Sequence, residues 1–122
     1  MKPEVKEAWL KALRSGEYQQ ATNRLRTNEG FCCLGVLCDI YHKQEQPLYQ
    51  TGWWFVKDEN YYMYNYSSAV LPVVVKEWAG LNDVDPSFGK EEEEEYSSHI
   101  LSVLNDYGKN FNQIADLIEV HF

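Results

Sequence analysis

The stretch Phe31-Cys32-Cys33-Leu34-Gly35-Val36-Leu37-Cys38-Asp39-Ile40-Tyr41 is almost unbrokenly apolar. Such a run fits either a core strand or a helix buried on most sides. Leu34, Leu37, Cys38 and Tyr41 keep helical spacing, which predicts a helix over about 32–42 and makes it the central element. Gly35, having no β-carbon, would let a neighbour approach that helix closely.

Upstream, Val5, Ala8, Trp9, Ala12 and Leu13 repeat with the period of a helix that buries one stripe, predicting a helix over 3–15. Pro3 suits its first turn, and Gly16 suits the left-handed residue that ends it. The polar segment Tyr18–Thr27 lacks a helical period and reads as irregular or extended, ahead of a turn at Asn28-Glu29-Gly30. If it is extended, Tyr18, Gln20, Thr22, Arg24 and Arg26 share one face, and Ala21 and Leu25 the other. Downstream, Gln44–Thr51 reads as a loop. Trp53-Trp54-Phe55-Val56-Lys57 and Tyr61-Tyr62-Met63-Tyr64-Asn65-Tyr66 flank Asp58-Glu59-Asn60 and read as an aromatic β-hairpin.

Pro72 then opens a short helix to about Trp78, closed by Gly80, with Val74, Val75 and Trp78 as its apolar face. Asn82–Gly89 is turn-rich, and residues 90–95, with the acid run Glu91–Glu95, are expected to form a solvated, mobile loop. Ile100, Leu101, Val103 and Leu104 suggest a helix terminated by Asn105-Asp106 and Gly108. Asn110 with Gln113 three residues on resembles a capping box for a last helix bearing Phe111, Ile114, Ala115 and Ile118. The expected architecture is α+β, residues 1–122 forming a single compact domain of four or five helices and an aromatic β-hairpin or small antiparallel sheet.

Its 122 residues suit one domain, and a hydrophobic fraction of 44% is enough to build a core. A net charge of -8 argues against binding duplex nucleic acid, where phosphates must be neutralised by Lys and Arg. No apolar run reaches the roughly 20 residues of a membrane helix, and the start lacks a secretory pattern, so a cytoplasmic location is expected. Cys32, Cys33 and Cys38 are odd in number, and no His lies at metal-ligand spacing. Buried structural thiols are expected, with no metal. Phosphate loops, nucleophile elbows and zinc-protease pairs are missing, so no catalytic residue and no cofactor is assigned.

Charge distribution is more informative. Residues 1–26 carry six bases and three acids, a net of +3, whereas residues 27–122 carry five bases and sixteen acids, a net of -11. All three arginines, Arg14, Arg24 and Arg26, lie in the first part, and a guanidinium can hold phosphate in bidentate fashion. The hairpin holds more aromatic surface than its folding requires. Trp53 and Trp54 are therefore candidates for stacking on a base, and the rings around Trp54, Tyr62 and Tyr64 are candidates for a subunit contact.

Three segments, Trp9-Leu10-Lys11-Ala12-Leu13-Arg14-Ser15-Gly16-Glu17-Tyr18-Gln19-Gln20, Phe31-Cys32-Cys33-Leu34-Gly35-Val36-Leu37-Cys38 and Leu104-Asn105-Asp106-Tyr107-Gly108 with Phe111 and Ile114-Ala115-Asp116, are similar to a family of small proteins encoded mainly by bacteriophages and prophages. The resemblance implies a viral origin and a site of action in the cytoplasm of an infected bacterium. By analogy of origin and size, it implies an accessory factor that counters host defence. The expected function is a non-enzymatic, homo-oligomeric sponge for a small anionic nucleotide signal of the cyclic dinucleotide or cyclic ADP-ribose type. Its ligand-binding residues would be Arg14, Tyr18, Gln20, Arg24, Arg26, Trp53 and Trp54. The alternatives are a module that inhibits a host protein through an acidic or aromatic surface and, more weakly, a hydrolase of the same signal.

Overall fold

A computed structural model describes residues 1–45, 54–89 and 99–122. The elements are α1 (Pro3–Arg14), β1 (Arg26–Thr27), α2 (Cys33–Glu45), β2 (Trp54–Asp58), β3 (Tyr61–Tyr64), α3 (Val73–Ala79), α4 (Leu101–Asp106) and α5 (Phe111–His121). The expected α+β architecture is therefore present, with five helices, a three-stranded antiparallel sheet and one shared core. Gln44 and Glu45, expected to begin a loop, end α2, and the rest of that loop, Trp53 and the stretch 90–95 lie outside the described residues.

α2 is the central element because α1, α3 and α4 all pack against it. Every residue from Cys33 to Ile40 is buried, which is why its sequence is apolar all round instead of striped. α1 shows the opposite pattern. Its stripe Val5, Trp9 and Leu13 is buried, and the Trp9 indole N–H donates to the carbonyl of Cys33 across 3.0 Å. α5 lies along α1, held by its own stripe Phe111, Ile114, Ala115 and Ile118. Its start is fixed by the capping box, in which Gln113 N–H donates to Asn110 Oδ1 while Asn110 N–H donates to Gln113 Oε1. α3 ends at Gly80, whose left-handed φ of 74° favours a residue without a β-carbon. Of its expected apolar face, Val75 is buried and Trp78 packs edge-on against Tyr41, whereas Val74 is exposed.

β1 completes the hairpin as a third strand in the order β1-β3-β2, with Arg26 opposite Tyr62 and Tyr62 opposite Val56. Only two residues of Tyr18–Thr27 join the sheet. Asn23 takes a left-handed φ of 72°, turning the chain, and its N–H donates to Asp106 Oδ1. The segment is therefore mainly irregular, and its side chains do not share the face that an extended strand would give them.

A buried asparagine ties this irregular segment to the helices. Asn105 Oδ1 accepts from the N–H of Cys33, the first residue of α2, and from Gln20 Nε2, while Asn105 Nδ2 donates to the carbonyl of Ala21. One side chain of α4 thus satisfies an otherwise orphaned donor at the start of the central helix.

Candidate functional site

Tyr62 and Tyr64 on β3 and Trp54 on β2 share the sheet face that turns toward α2, because residues two apart on a strand project alike and Trp54 pairs with Tyr64. Arg26 joins this face through its pairing with Tyr62. Its Cζ lies 4.4 Å from the Tyr62 ring centroid, 4.9 Å from Phe31 and 5.4 Å from Trp54, within the range of cation–π attraction. Tyr18 packs edge-on against Phe31 at 5.1 Å, and Phe31 against Trp54 at 5.8 Å. The result is a half-buried wall of four rings around one guanidinium. Among the described side chains, which do not include that of Asp58, no carboxylate lies within ion-pair distance of Arg26 and no acceptor takes its N–H groups.

Behind this wall sits Asp39, a carboxylate only 7% exposed. Its Oδ2 accepts from the Tyr18 hydroxyl at 2.6 Å and from Lys43 Nζ at 3.0 Å, and its Oδ1 accepts from the Trp54 indole at 3.2 Å. Burial pushes the Asp39 carboxyl upward, but the hydrogen bonds from Tyr18, Lys43 and Trp54 and the charge of Lys43 outweigh it and hold the group below its ordinary range. Burial, and then the hydrogen bond to Asp39, push the Tyr18 hydroxyl up to about 12. Asp39 therefore stays ionised and Tyr18 protonated at neutral pH. The pair clamps the Tyr18 and Trp54 rings on either side of Phe31.

The residues singled out in the sequence are distributed unevenly. Tyr18, Arg26 and Trp54 come together at the wall. Arg14 does not, since Asp116 at 2.8 Å and Glu119 at 3.1 Å engage its guanidinium on the α1–α5 side. Gln20 turns the other way, its amide donating to Asn105 Oδ1 and to the carbonyl of Lys109, each at 2.9 Å. Arg24 stacks on Tyr61 at 4.4 Å. Because Tyr61 and Tyr62 are consecutive on β3, they project to opposite faces, and the guanidiniums of Arg24 and Arg26 are separated with them. Trp53 lies outside the described residues.

Phe31 and Asp39 complete the wall without having been assigned to a site from sequence, and Tyr62, expected at a subunit contact, joins them. Asp39 did carry a signal: a lone acid inside an apolar run, with Lys43 one turn later. Tyr64, expected at a subunit contact, is wholly buried, and among the described residues the exposed rings of the hairpin region are Phe55 and Tyr66, 5.8 Å apart.

A family model described as Domain of unknown function (DUF8296) matches residues 1–122. The chain belongs to this family. No curated protein and no solved structure matches it. In this DUF8296 chain, no helix among the described residues is long and apolar enough to cross a membrane. Nor do the described residues gather three His, Cys, Asp or Glu side chains into a metal-binding group. Cys32, Cys33 and Cys38 are free and buried, with burial pushing all three thiols upward, as suits packing residues better than nucleophiles.

Proposed function

We propose that the chain is a non-enzymatic binding protein that sequesters a small anionic nucleotide, with Arg26 meeting phosphate and the surrounding rings meeting the base. The observation that carries this reading is the Arg26 guanidinium. Its Cζ lies within 5.4 Å of three aromatic ring centroids, yet no described side chain neutralises it. A guanidinium attracted to aromatic rings still offers N–H groups to a phosphate, and charge-assisted bonds of that kind contribute roughly 1.5–3 kcal/mol. The resemblance to phage-encoded proteins supports a biological setting for this activity: a viral factor in the cytoplasm of an infected bacterium that removes a nucleotide immune signal. Thermal-shift screening against cyclic dinucleotides and cyclic ADP-ribose isomers tests the reading. Stabilisation by at least one compound is expected, with roughly ten- to a hundredfold weaker binding to Arg26→Ala. Absence of any shift, or equal shifts in both proteins, would refute it.

Phe55, Val56 and Tyr66 favour a second reading, that the hairpin is a contact with protein. Phe55 and Tyr66, 5.8 Å apart, are 37% and 76% exposed, and Val56, 67% exposed, projects to the opposite face of β2, an outer strand of the sheet among the described residues. Apolar surface of this kind is commonly covered by a symmetric copy. Light scattering is then expected to give a multiple of the 14.3 kDa chain mass, reduced to one chain by Phe55→Ser with Tyr66→Ser. A monomer at micromolar concentration would leave the patch to a host protein or to solvent.

A further inference from the structure

Resting on the nucleotide reading, we infer that the unit recognised at the Arg26 wall is a singly charged phosphodiester joined to a base, not a terminal mono-, di- or triphosphate. Most of the donors and cations at the wall are already engaged. The Tyr18 hydroxyl and the Trp54 indole N–H both donate to Asp39. Lys43 lies against the same carboxylate at 3.0 Å, so its charge is already answered. Arg14 is closed by Asp116 and Glu119, and Arg24 is stacked on Tyr61, across the sheet from Tyr62. Among the described side chains this leaves Arg26 as the one cation at the wall without a carboxylate partner.

One guanidinium offers one positive charge and a fork of paired N–H groups. A phosphodiester presents one negative charge on two equivalent non-bridging oxygens, which matches that fork in number and geometry. A terminal phosphate carries about 1.5 to 2 negative charges at neutral pH, and a di- or triphosphate more. The other described cation at the wall, Lys43, lies 5.3 Å from the Tyr18 ring centroid but is already held by Asp39 at 3.0 Å, and the net charge of -8 opposes the surplus. The partly exposed Tyr62 ring remains for stacking a base.

Adenosine 5′-monophosphate and its methyl ester make the cleanest test, because the ester keeps base, sugar and phosphate position and removes only the second charge. Calorimetric titration of the intact protein is carried out with these two, with cyclic AMP, with cyclic di-AMP and with ATP. The methyl ester and the cyclic compounds should bind at least about tenfold more tightly than AMP and ATP, and Arg26→Ala should remove the difference, whereas Arg24→Ala should preserve it. AMP or ATP binding as tightly as the ester through Arg26 overturns the charge inference and leaves the nucleotide reading standing. Failure of all five compounds to bind overturns both.

Discussion

Replacing Gly35 by alanine is expected to remove a large part of the stability of the fold. A β-carbon built at Gly35 would lie 1.8 Å from the carbonyl oxygen of Leu25 and 2.7 Å from its carbonyl carbon, far inside van der Waals contact. The obstacle is backbone, so no rotamer change relieves it. Nor can the Leu25 segment withdraw cheaply: its N–H donates to the Ser68 carbonyl, its own carbonyl accepts from Cys32 N–H at 3.1 Å, and its side chain is fully buried. Overpacking of this severity costs about 3–5 kcal/mol, set against total stabilities of roughly 5–15 kcal/mol. Gly16→Ala is the control. Nothing lies within 4 Å of its would-be β-carbon, and only the left-handed φ of 78° opposes it, at about 1–2 kcal/mol. Urea unfolding of both variants checks the difference; equal midpoints would mean that α2 does not lie against the Leu25 backbone.

Alkaline pH should unfold the reduced protein steeply. Burial raises Cys32 from an ordinary thiol value of 9.0 to about 12 and raises Cys33 and Cys38 well above the same value. A group whose folded pKa exceeds its unfolded one contributes its full stability below the unfolded value and loses it as pH climbs toward the folded value. Above pH 9 the unfolded chain releases thiol protons that the folded chain retains, so each rise in pH favours unfolding. The slope is about 1.4 kcal/mol per pH unit for each thiol, or about 4 kcal/mol per unit for three. Tyr18, raised from 10.0 to about 12, adds to the loss over the upper part of that window. Denaturant unfolding with reductant should therefore show a plateau from pH 7 to about 8.5 and a fall beyond 9. Cys38→Ala should lower the slope by about a third, whatever it does to the stability at neutral pH. Unchanged stability at pH 10.5 would place the thiols in water.

Features fixed by neighbours in sequence were legible without the structure. The Asn110–Gln113 capping box, the Gly80 stop and the buried stripe of α1 each depend on residues within a few positions of one another. Gly35 was legible too, because a glycine inside a fully apolar helix has few uses other than close approach. The segment from Tyr18 to Arg26 was not. Its course is decided by Asn105, 85 positions from Gln20 and 72 from Cys33, and by the positive φ of Asn23. No local period encodes either. The candidate site divides along the same line. The basic character of the first 26 residues pointed to Arg26, and the aromatic hairpin to Trp54. That Arg14 is neutralised depends on acids 102 and 105 positions away, and that Arg24 and Arg26 part company depends on which tyrosine each one meets across the sheet.

The most direct test of the Arg26 wall as a binding site is calorimetric titration of a cyclic dinucleotide into the intact protein and its Arg26→Ala and Arg14→Ala variants. The ion pairs of Arg14 are exposed, and such pairs contribute little to stability, so Arg14→Ala should stay folded and bind as the intact protein does. The expected result is measurable heat for the intact protein and Arg14→Ala, with affinity lower by about ten- to a hundredfold in Arg26→Ala. Equal affinity in all three proteins, or no heat in the intact one, would contradict the assignment of Arg26 and its rings as the site.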